Sequence, residues 1–285
     1  MVGFIKHIKR DVSVGIAKGI SALFCAALIS VSGPAEAVKK AGIEFSPGSI
    51  LEIGTIWENI VVLPGDILFG VGIVDAVKDG SGAVIFWQNG DNGRELTFEF
   101  GGFLVERITL AGTVAVVEFS GGFADLFSDP LQDFSGGASG GGIPGDIASA
   151  TNGTPFVNLL GAGTGTVCDA TCFSGAGPAI TLVSTIFLAV AGDLSTVSSG
   201  TGSGFFDVDI FGPGVANTNF DTNGQPSGQD FLLGSSFATI PVSNFPLGGS
   251  VDLRGAAIPE PTAMALFGFG LIGLGMLAHR RRRRS

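Results

Sequence analysis

The region between residues 38 and 258 alternates short apolar runs with glycine-rich turns and shows little helical periodicity. Turn residues recur about every 8–12 positions, a spacing typical of sandwiches and barrels. The pattern therefore predicts an all-β body with a glycine-rich sandwich or barrel-like fold. The predicted strands are residues 67–77, 83–87, 96–100, 105–110, 113–119, 180–190, 205–211 and 231–240.

The segment 205–211 shows the clearest alternation of apolar and acidic residues. Its apolar residues Phe206, Val208 and Ile210 fall on one side of a strand, and two aspartates fall on the other. We therefore expect the apolar residues to face the core and the aspartates to face solvent.

Two stretches between or after these runs lack the pattern of a strand. Residues 135–145 are dominated by Gly and Ser and carry no Lys before Ser or Thr, so they predict a flexible loop and not a phosphate-binding loop. Residues 241–258 contain prolines and follow the last predicted strand. We interpret them as a linker, which leaves residues 38–240 as the β-rich exported body.

Residues 1–37 have the three parts of a secretory signal peptide. A basic start is followed by an apolar run at residues 19–31 and by a small-residue end that contains Ala35 and Ala37. This order predicts a signal helix that is cleaved after Ala37. Because the basic start is unusually long, a retained membrane anchor is the alternative interpretation.

Residues 259–285 form a second segment of special composition. Pro259, Glu260 and Pro261 precede an uncharged apolar run of 17 residues at 262–278. As a helix the run would be about 25 Å long, close to the roughly 30 Å hydrocarbon core of a bilayer. A block of arginines follows, and arginines next to a span stay in the cytoplasm. The segment therefore predicts a transmembrane helix with the body on the outer side. The arginines of the cytoplasmic anchor are Arg280, Arg281, Arg282, Arg283 and Arg284.

The proline motif, apolar run and arginine block together resemble the sorting tail of the PEP-CTERM proteins, a tail that is sometimes labelled an ice-binding-protein C-terminal domain. The resemblance implies that an exosortase-type processing enzyme recognises Pro259, Glu260 and Pro261. It also implies a single-pass precursor held transiently in the inner membrane, and a processed form at the cell surface or outside the cell. A link to exopolysaccharide, biofilm or floc formation is part of the same expectation, with exopolysaccharide as a partner.

The charge of the exported part disfavours one class of partner. Residues 38–260 hold six Lys and Arg against 23 Asp and Glu, a net charge of −17. Because binding of nucleic acid needs clustered Lys and Arg, nucleic acid is not an expected partner. An acidic body favours cations or cationic surfaces instead.

The histidine and cysteine content of the body limits its chemistry. Residues 38–258 contain no histidine, which excludes a Ser-His-Asp site, a Cys-His site and a zinc site with His ligands. Cys168 and Cys172 are the cysteines of this region, and in an exported protein they are predicted to form a disulfide. A metal or redox pair is the alternative interpretation.

Carboxylates are the plentiful reactive groups of the body. A glycoside hydrolase needs two of them, and the candidates are Glu95, Glu99, Glu106 and Glu118. On a sheet the same residues also fit a solvated face, so a structural interpretation stays open.

No cofactor is predicted, and Ca²⁺ is the metal that two polar turns could hold. Residues 91–93 and 221–224 offer clustered oxygen ligands of the kind that Ca²⁺ prefers. Neither completes an EF-hand, since position 12 counted from Asp221 is Leu232 and not Glu. Ordinary turn chemistry also accounts for both clusters.

The leading hypothesis is a non-enzymatic, exported and exosortase-processed protein of the surface or extracellular matrix, associated with exopolysaccharide and biofilm or floc formation. The first alternative is a carbohydrate-binding module that uses Trp57 or Trp87, although core packing also explains these side chains. The second alternative is a carboxylate-based glycoside hydrolase.

Overall fold

The computed structural model describes residues 37–46, 49–163, 179–188, 197–225, 228–258, 268 and 270–274. All of them belong to one unit, Ala37–Ser285. In this part of the chain the strands are β1 (Val38–Lys40), β2 (Ile43–Phe45), β3 (Ile50–Glu58), β4 (Ile67–Lys78), β5 (Ile85–Gln88), β6 (Glu95–Ala111), β7 (Val114–Asp129), β8 (Thr154–Gly161), β9 (Leu182–Leu188), β10 (Val197–Val208), β11 (Phe231–Thr239) and β12 (Leu247–Gly255). The helices are α1 (Gly142–Ala150) and α2 (Asn217–Phe220), and a 3-10 turn covers Asp91–Gly93.

Strand pairing closes the main sheet into a ring of antiparallel neighbours. β3 pairs with β4, β4 with β6, and β6 with β7. β7 pairs with β9 near its start and with β8 near its end, and both β8 and β9 pair with β10. β10 then pairs with β11, β11 with β12, and β12 with β3. The all-β prediction is confirmed, and of its two alternatives the closed pairing gives the barrel-like form, which leaves no long free edge in the ring.

Phenylalanine rings pack in the interior of the ring together with Leu, Ile and Val side chains. Phe98, Phe100 and Phe103 of β6 are buried, and the Phe103 ring lies edge-on to Phe206 of β10 with centroids 5.8 Å apart. Burial of one such side chain stabilises the fold by about 1.5–3 kcal/mol. The alternation predicted at residues 96–100 therefore arises because β6 has one face in the core.

Smaller elements cover the outside of the barrel. β1 and β2 form a separate hairpin, and β5 pairs with the end of β4. A second apolar cluster lies between β4 and α1, where Val71, Ala150 and Phe245 are fully buried. This cluster explains why β4 is apolar on both faces. From the sequence, the same pattern predicted only that the segment is a strand.

Glycines let the two longest strands bend within the ring. Gly102 in β6 has φ +71°, and Gly122 in β7 has φ +92°. A Cβ on Gly122 would lie 2.2 Å from the Phe103 ring, so a side chain there has no room. The segments predicted as separate strands at 96–100 and 105–110 are one strand, because Gly102 adopts the positive φ that the backbone needs between them.

Two predictions about loops and strand ends are wrong in part. The face predicted for Phe206, Val208 and Ile210 holds for the first two, but β10 ends at Val208 and Ile210 is 46% exposed. The flexible loop predicted at residues 135–145 contains the first turn of α1, which starts at Gly142. Its glycine-rich part is also fixed, because the Asn244 N–H donates to Gly137 O at 2.7 Å.

The linker predicted at residues 241–258 is also wrong, because β12 lies within it. β12 sits between β11 and β3 and closes the ring. A Cβ on Gly249 would lie 1.8 Å from Ser236 O, so glycine is present there because two backbones approach closely. Glycines in β12 and prolines just before it gave this segment the composition of a linker, and its partner β3 lies too far away in sequence to show its role.

Candidate functional site

The barrel ends next to the predicted sorting tail. β12 finishes at Gly255, and Ala257 is buried. The Ile258 N–H donates to Asn219 O at 2.7 Å, and Asn219 Nδ2 donates back to Ile258 O at 3.2 Å. Since α2 holds the residue just before Pro259, the folded barrel extends up to the first residue of the proline motif.

The barrel interior contains a cavity of about 40 Å³. Apolar side chains from the strands of the ring other than β8 line it, together with three polar residues, Glu58, Ser184 and Ser235. A neighbouring cavity of about 20 Å³ is lined by Glu58 and Ser184 as well. The Glu58 side chain therefore lies between the two internal spaces.

Glu58 is a buried acid in an apolar environment. It ends β3, where it lies opposite Gly70 of β4 and Leu247 of β12. Burial raises the pKa of its carboxyl from the ordinary 4.5 to about 8. Because no described residue donates a hydrogen bond to this carboxyl, desolvation acts without compensation and the neutral acid is the stable form at pH 7.

A carboxylate cluster occupies one end of the β6–β7 hairpin. Glu95 at the start of β6 is the register partner of Asp129 at the end of β7. Asp133 comes from the loop that follows, and one oxygen from each of the three carboxylates lies within 4.8 Å of the other two. Burial raises the pKa of the Glu95 carboxyl, and the nearby charges of Asp129 and Asp133 raise it further.

A second pair of carboxylates lies further along the same hairpin. Glu99 is the register partner of Asp125, and Asn158 Nδ2 donates to Asp125 Oδ1 at 2.8 Å. Burial raises the pKa of both carboxyls, and the charge of Asp125 adds to the effect at Glu99. Paired acids with raised pKa are what general acid catalysis uses, so Glu99 is the residue on which the hydrolase alternative depends.

The other two hydrolase candidates are engaged in structural contacts. Arg107 Nη2 donates to Glu118 Oε1 at 2.8 Å, in an ion pair across the β6–β7 hairpin. The Ser120 hydroxyl donates to the Glu106 carboxylate. The structure therefore brings Glu95 and Glu99 each opposite another carboxylate, but it gives Glu106 and Glu118 polar partners instead.

The two tryptophans are packed against protein groups. Trp87 is 0% exposed, and its indole N–H donates to Asp91 O at 3.3 Å. Trp57 is half-buried and lies edge-on to Phe134, with ring centroids 5.6 Å apart. Gly136 and its neighbour cover Trp57 so closely that a Cβ on Gly136 would lie 2.6 Å from the indole ring. Core packing is the interpretation that these contacts support.

The two turns considered for Ca²⁺ are organised by hydrogen bonds. Asp91 Oδ2 accepts from the Gln88 N–H at 2.9 Å. In the other turn the Thr222 and Asn223 N–H groups both donate to Asp230 Oδ1 at 2.6 Å. Among the described residues, the acidic side chains that come together as a group of three are those of Glu95, Asp129 and Asp133.

Comparison with known sequences places one motif on the chain. A family model described as the PEP-CTERM protein-sorting motif matches residues 257–284. The chain carries a PEP-CTERM sorting motif. No curated protein and no solved structure matches the chain.

The PEP-CTERM motif confirms the resemblance found in the sequence. It marks an exported protein whose membrane-anchored precursor is handled by an exosortase. The match begins at Ala257, two residues after β12 ends, so the motif directly follows the barrel.

The individual residues predicted for the tail lie outside the described part of the chain. This applies to Pro259, Glu260, Pro261 and the five arginines from Arg280 to Arg284. Residues 268 and 270–274 of the predicted transmembrane helix are helical. Within the described residues no helix has the length and apolar character needed to cross a membrane.

The predicted signal and disulfide are also outside the described residues, apart from Ala37. Ala35, with the rest of the predicted signal helix, and both Cys168 and Cys172 fall in segments that the structure does not describe. The cleavage after Ala37 and the disulfide stay predictions.

Four residues of the candidate sites were missed from the sequence: Glu58, Asp125, Asp129 and Asp133. Glu58 follows Ile56 at a spacing of two, so strand alternation could have placed both in the core. Asp129 and Asp133 flank a turn that begins with Pro130, which gave no sign of their proximity to Glu95. That proximity follows only from the register of the β6–β7 hairpin.

Proposed function

We propose that the barrel is a non-enzymatic protein of the cell surface or extracellular matrix, associated with exopolysaccharide in biofilm or floc formation. The observation that carries the proposal is the PEP-CTERM motif at residues 257–284, which starts where the barrel ends. If the protein is exported and its tail is then processed next to the folded barrel, the barrel is delivered to the outer surface.

The electrostatics of the barrel favour an extracellular role among ions and polymers. The net charge of −17 over residues 38–260 keeps the protein soluble and disfavours direct contact with acidic polymers. Association with exopolysaccharide is therefore expected to use neutral sugars or bridging cations. Chelation of divalent cations should then release the protein from an acidic polymer but not from a neutral one.

The test compares three strains of the producing organism. One carries the wild-type gene, one has the gene deleted, and one carries Pro259→Ala, Glu260→Ala and Pro261→Ala together. The wild-type protein should be found without Arg280 to Arg284 in the extracellular polymer fraction. The triple variant should accumulate in the inner membrane as a precursor that keeps the arginines, because the apolar run and positive charges still direct insertion. Floc formation should fall in the deletion and triple-variant strains.

The control for catalysis uses the Glu99–Asp125 pair. Purified wild-type protein and a Glu99→Gln variant should both release no reducing sugar from the organism's own polymer. Release by the wild type that disappears in the variant would support the hydrolase alternative instead. Binding to a glycan array that is lost when Trp57 is replaced would support the carbohydrate-binding module. A mature surface protein that keeps its arginines would refute processing.

A further inference from the structure

The carboxylate cluster at the end of the β6–β7 hairpin combines burial with like charge. Glu95 is 3% exposed, Asp129 is 1% exposed, and Asp133 lies at the surface. Antiparallel register holds Glu95 and Asp129 directly opposite each other. Like charges in opposite positions of an antiparallel pair destabilise a sheet, so the arrangement is unfavourable unless a positive charge is present.

Among the described residues, no basic side chain is paired with this cluster. In the part of the chain that the structure describes, no ion pair joins Glu95, Asp129 or Asp133 to a lysine or arginine. Arg94 is the closest basic residue in sequence, but its side chain is directed against Gly42 of the β1–β2 turn. Within the described residues, no positively charged side chain therefore balances the charge of the three carboxylates.

The hydrogen bonds of the cluster leave one buried oxygen without a partner. Glu95 Oε1 accepts from the Phe134 N–H at 3.1 Å, and Asp129 Oδ1 accepts from the Leu131 N–H at 2.9 Å. Asp129 Oδ2 is buried and accepts no hydrogen bond. An unpaired buried carboxylate oxygen is costly, and here it belongs to a carboxylate with two others next to it.

We propose that Glu95, Asp129 and Asp133 bind a divalent cation, with Ca²⁺ preferred over Mg²⁺. One oxygen from each of the three carboxylates lies within 4.8 Å of the other two, so a single cation placed between them can contact all three. Ca²⁺ accepts several carboxylate ligands in a flexible geometry. Mg²⁺ demands a near-ideal octahedron, keeps several waters and rarely uses a cage made of protein carboxylates alone, so Ca²⁺ is the better fit. Three carboxylates supply the ligands of an incomplete shell that water completes.

The bound cation would connect the hairpin end to the elements around it. Asp133 accepts hydrogen bonds from Asn152 Nδ2 at 3.2 and 3.4 Å, just after the end of α1. Phe134, whose N–H is bonded to Glu95, packs against Trp57 of β3. Binding therefore fixes the loop at residues 129–134 between α1 and β3, and this effect is independent of the proposed role in the matrix.

The first test measures binding to the full-length chain freed of metal with EGTA. Calorimetry with CaCl₂ should show one saturable site, and MgCl₂ should bind about tenfold more weakly or worse. Hydrogen exchange should show slower exchange on Ca²⁺ addition at the amides of Leu131 and Phe134. Absence of both binding and protection in the wild-type chain would overturn the proposal.

Matched variants distinguish ligands from structural acceptors. Asp133→Asn changes a surface residue and should weaken Ca²⁺ binding about tenfold or more while leaving the fold intact. Asp129→Asn should melt at a higher temperature than the wild type in EGTA, since a repulsive charge is removed, and at a lower one in saturating CaCl₂. Glu99→Gln alters the neighbouring pair of acids on the same strands and should bind Ca²⁺ like the wild type. Equal Ca²⁺ affinity in wild type and Asp133→Asn would refute the site.

Discussion

Replacement of Glu58 by Gln should stabilise the protein increasingly as the pH rises. The carboxyl of Glu58 lies in the barrel interior with its pKa raised by burial from 4.5 to about 8. In the unfolded chain the group ionises near 4.5, whereas in the folded protein it keeps its proton up to about pH 8. Between these values the folded state binds one more proton than the unfolded state, so stability falls as the pH increases.

The size of the effect follows from the difference between the two pKa values. Each pH unit in this window lowers the free energy of unfolding by about 1.4 kcal/mol. The loss is about 3 kcal/mol at pH 7, and it levels off at about 5 kcal/mol above pH 8. Gln has nearly the same shape and no charge. The difference in stability between Glu58→Gln and wild type should therefore grow by about 3–4 kcal/mol from pH 5 to pH 8.

Urea unfolding at pH 5, 6, 7 and 8 measures this difference, with Trp87 in the core as the fluorescence probe. Other carboxyls whose pKa is raised, such as Glu99 and Asp125, titrate in both proteins and cancel in the comparison. Glu44→Gln on β2 is the control, because it also removes one carboxylate but leaves the interior unchanged. If wild type and Glu58→Gln lose stability in parallel from pH 5 to pH 8, the carboxyl is not held neutral by burial and the reasoning fails.

Three further predictions concern the core, the bend of the barrel and the segment outside the described residues. Phe206→Asp should destabilise the fold by about 3–5 kcal/mol because it buries an unpaired charge, whereas Asp207→Ser at the surface should change stability by less than about 0.5 kcal/mol in the same urea assay. Gly122→Ala should lower the free energy of unfolding by about 1 kcal/mol more than Gly112→Ala, because both glycines have positive φ but only a Cβ on Gly122 meets a side chain, that of Phe103. Equal losses of stability in the two variants would show that the backbone angle alone matters. Cys168 and Cys172 in protein exported by the native host should resist alkylation after denaturation without reductant, and labelling of both thiols would contradict the disulfide.

The sequence alone determined the destination of the protein and its structural class. The sorting motif is continuous, so its proline motif, apolar run and arginines can be recognised without any knowledge of folding. The all-β class was also predictable, because alternation in a segment such as residues 96–100 reflects a strand with one buried face. Both kinds of signal depend only on residues that are close together in the chain, so a single sequence is enough to recognise them.

The tertiary structure alone decided which residues meet. β12 pairs with β3 across a large separation in sequence, and its glycines resemble those of a linker until Ser236 O is found beside Gly249. Alternation with Ile56 places Glu58 on the core-facing side of β3, but its complete burial depends on closure of the ring around it, which the pattern of one strand does not reveal. Asp129 comes opposite Glu95 only through hairpin register, since a shift of one residue would turn the two side chains to opposite faces of the sheet.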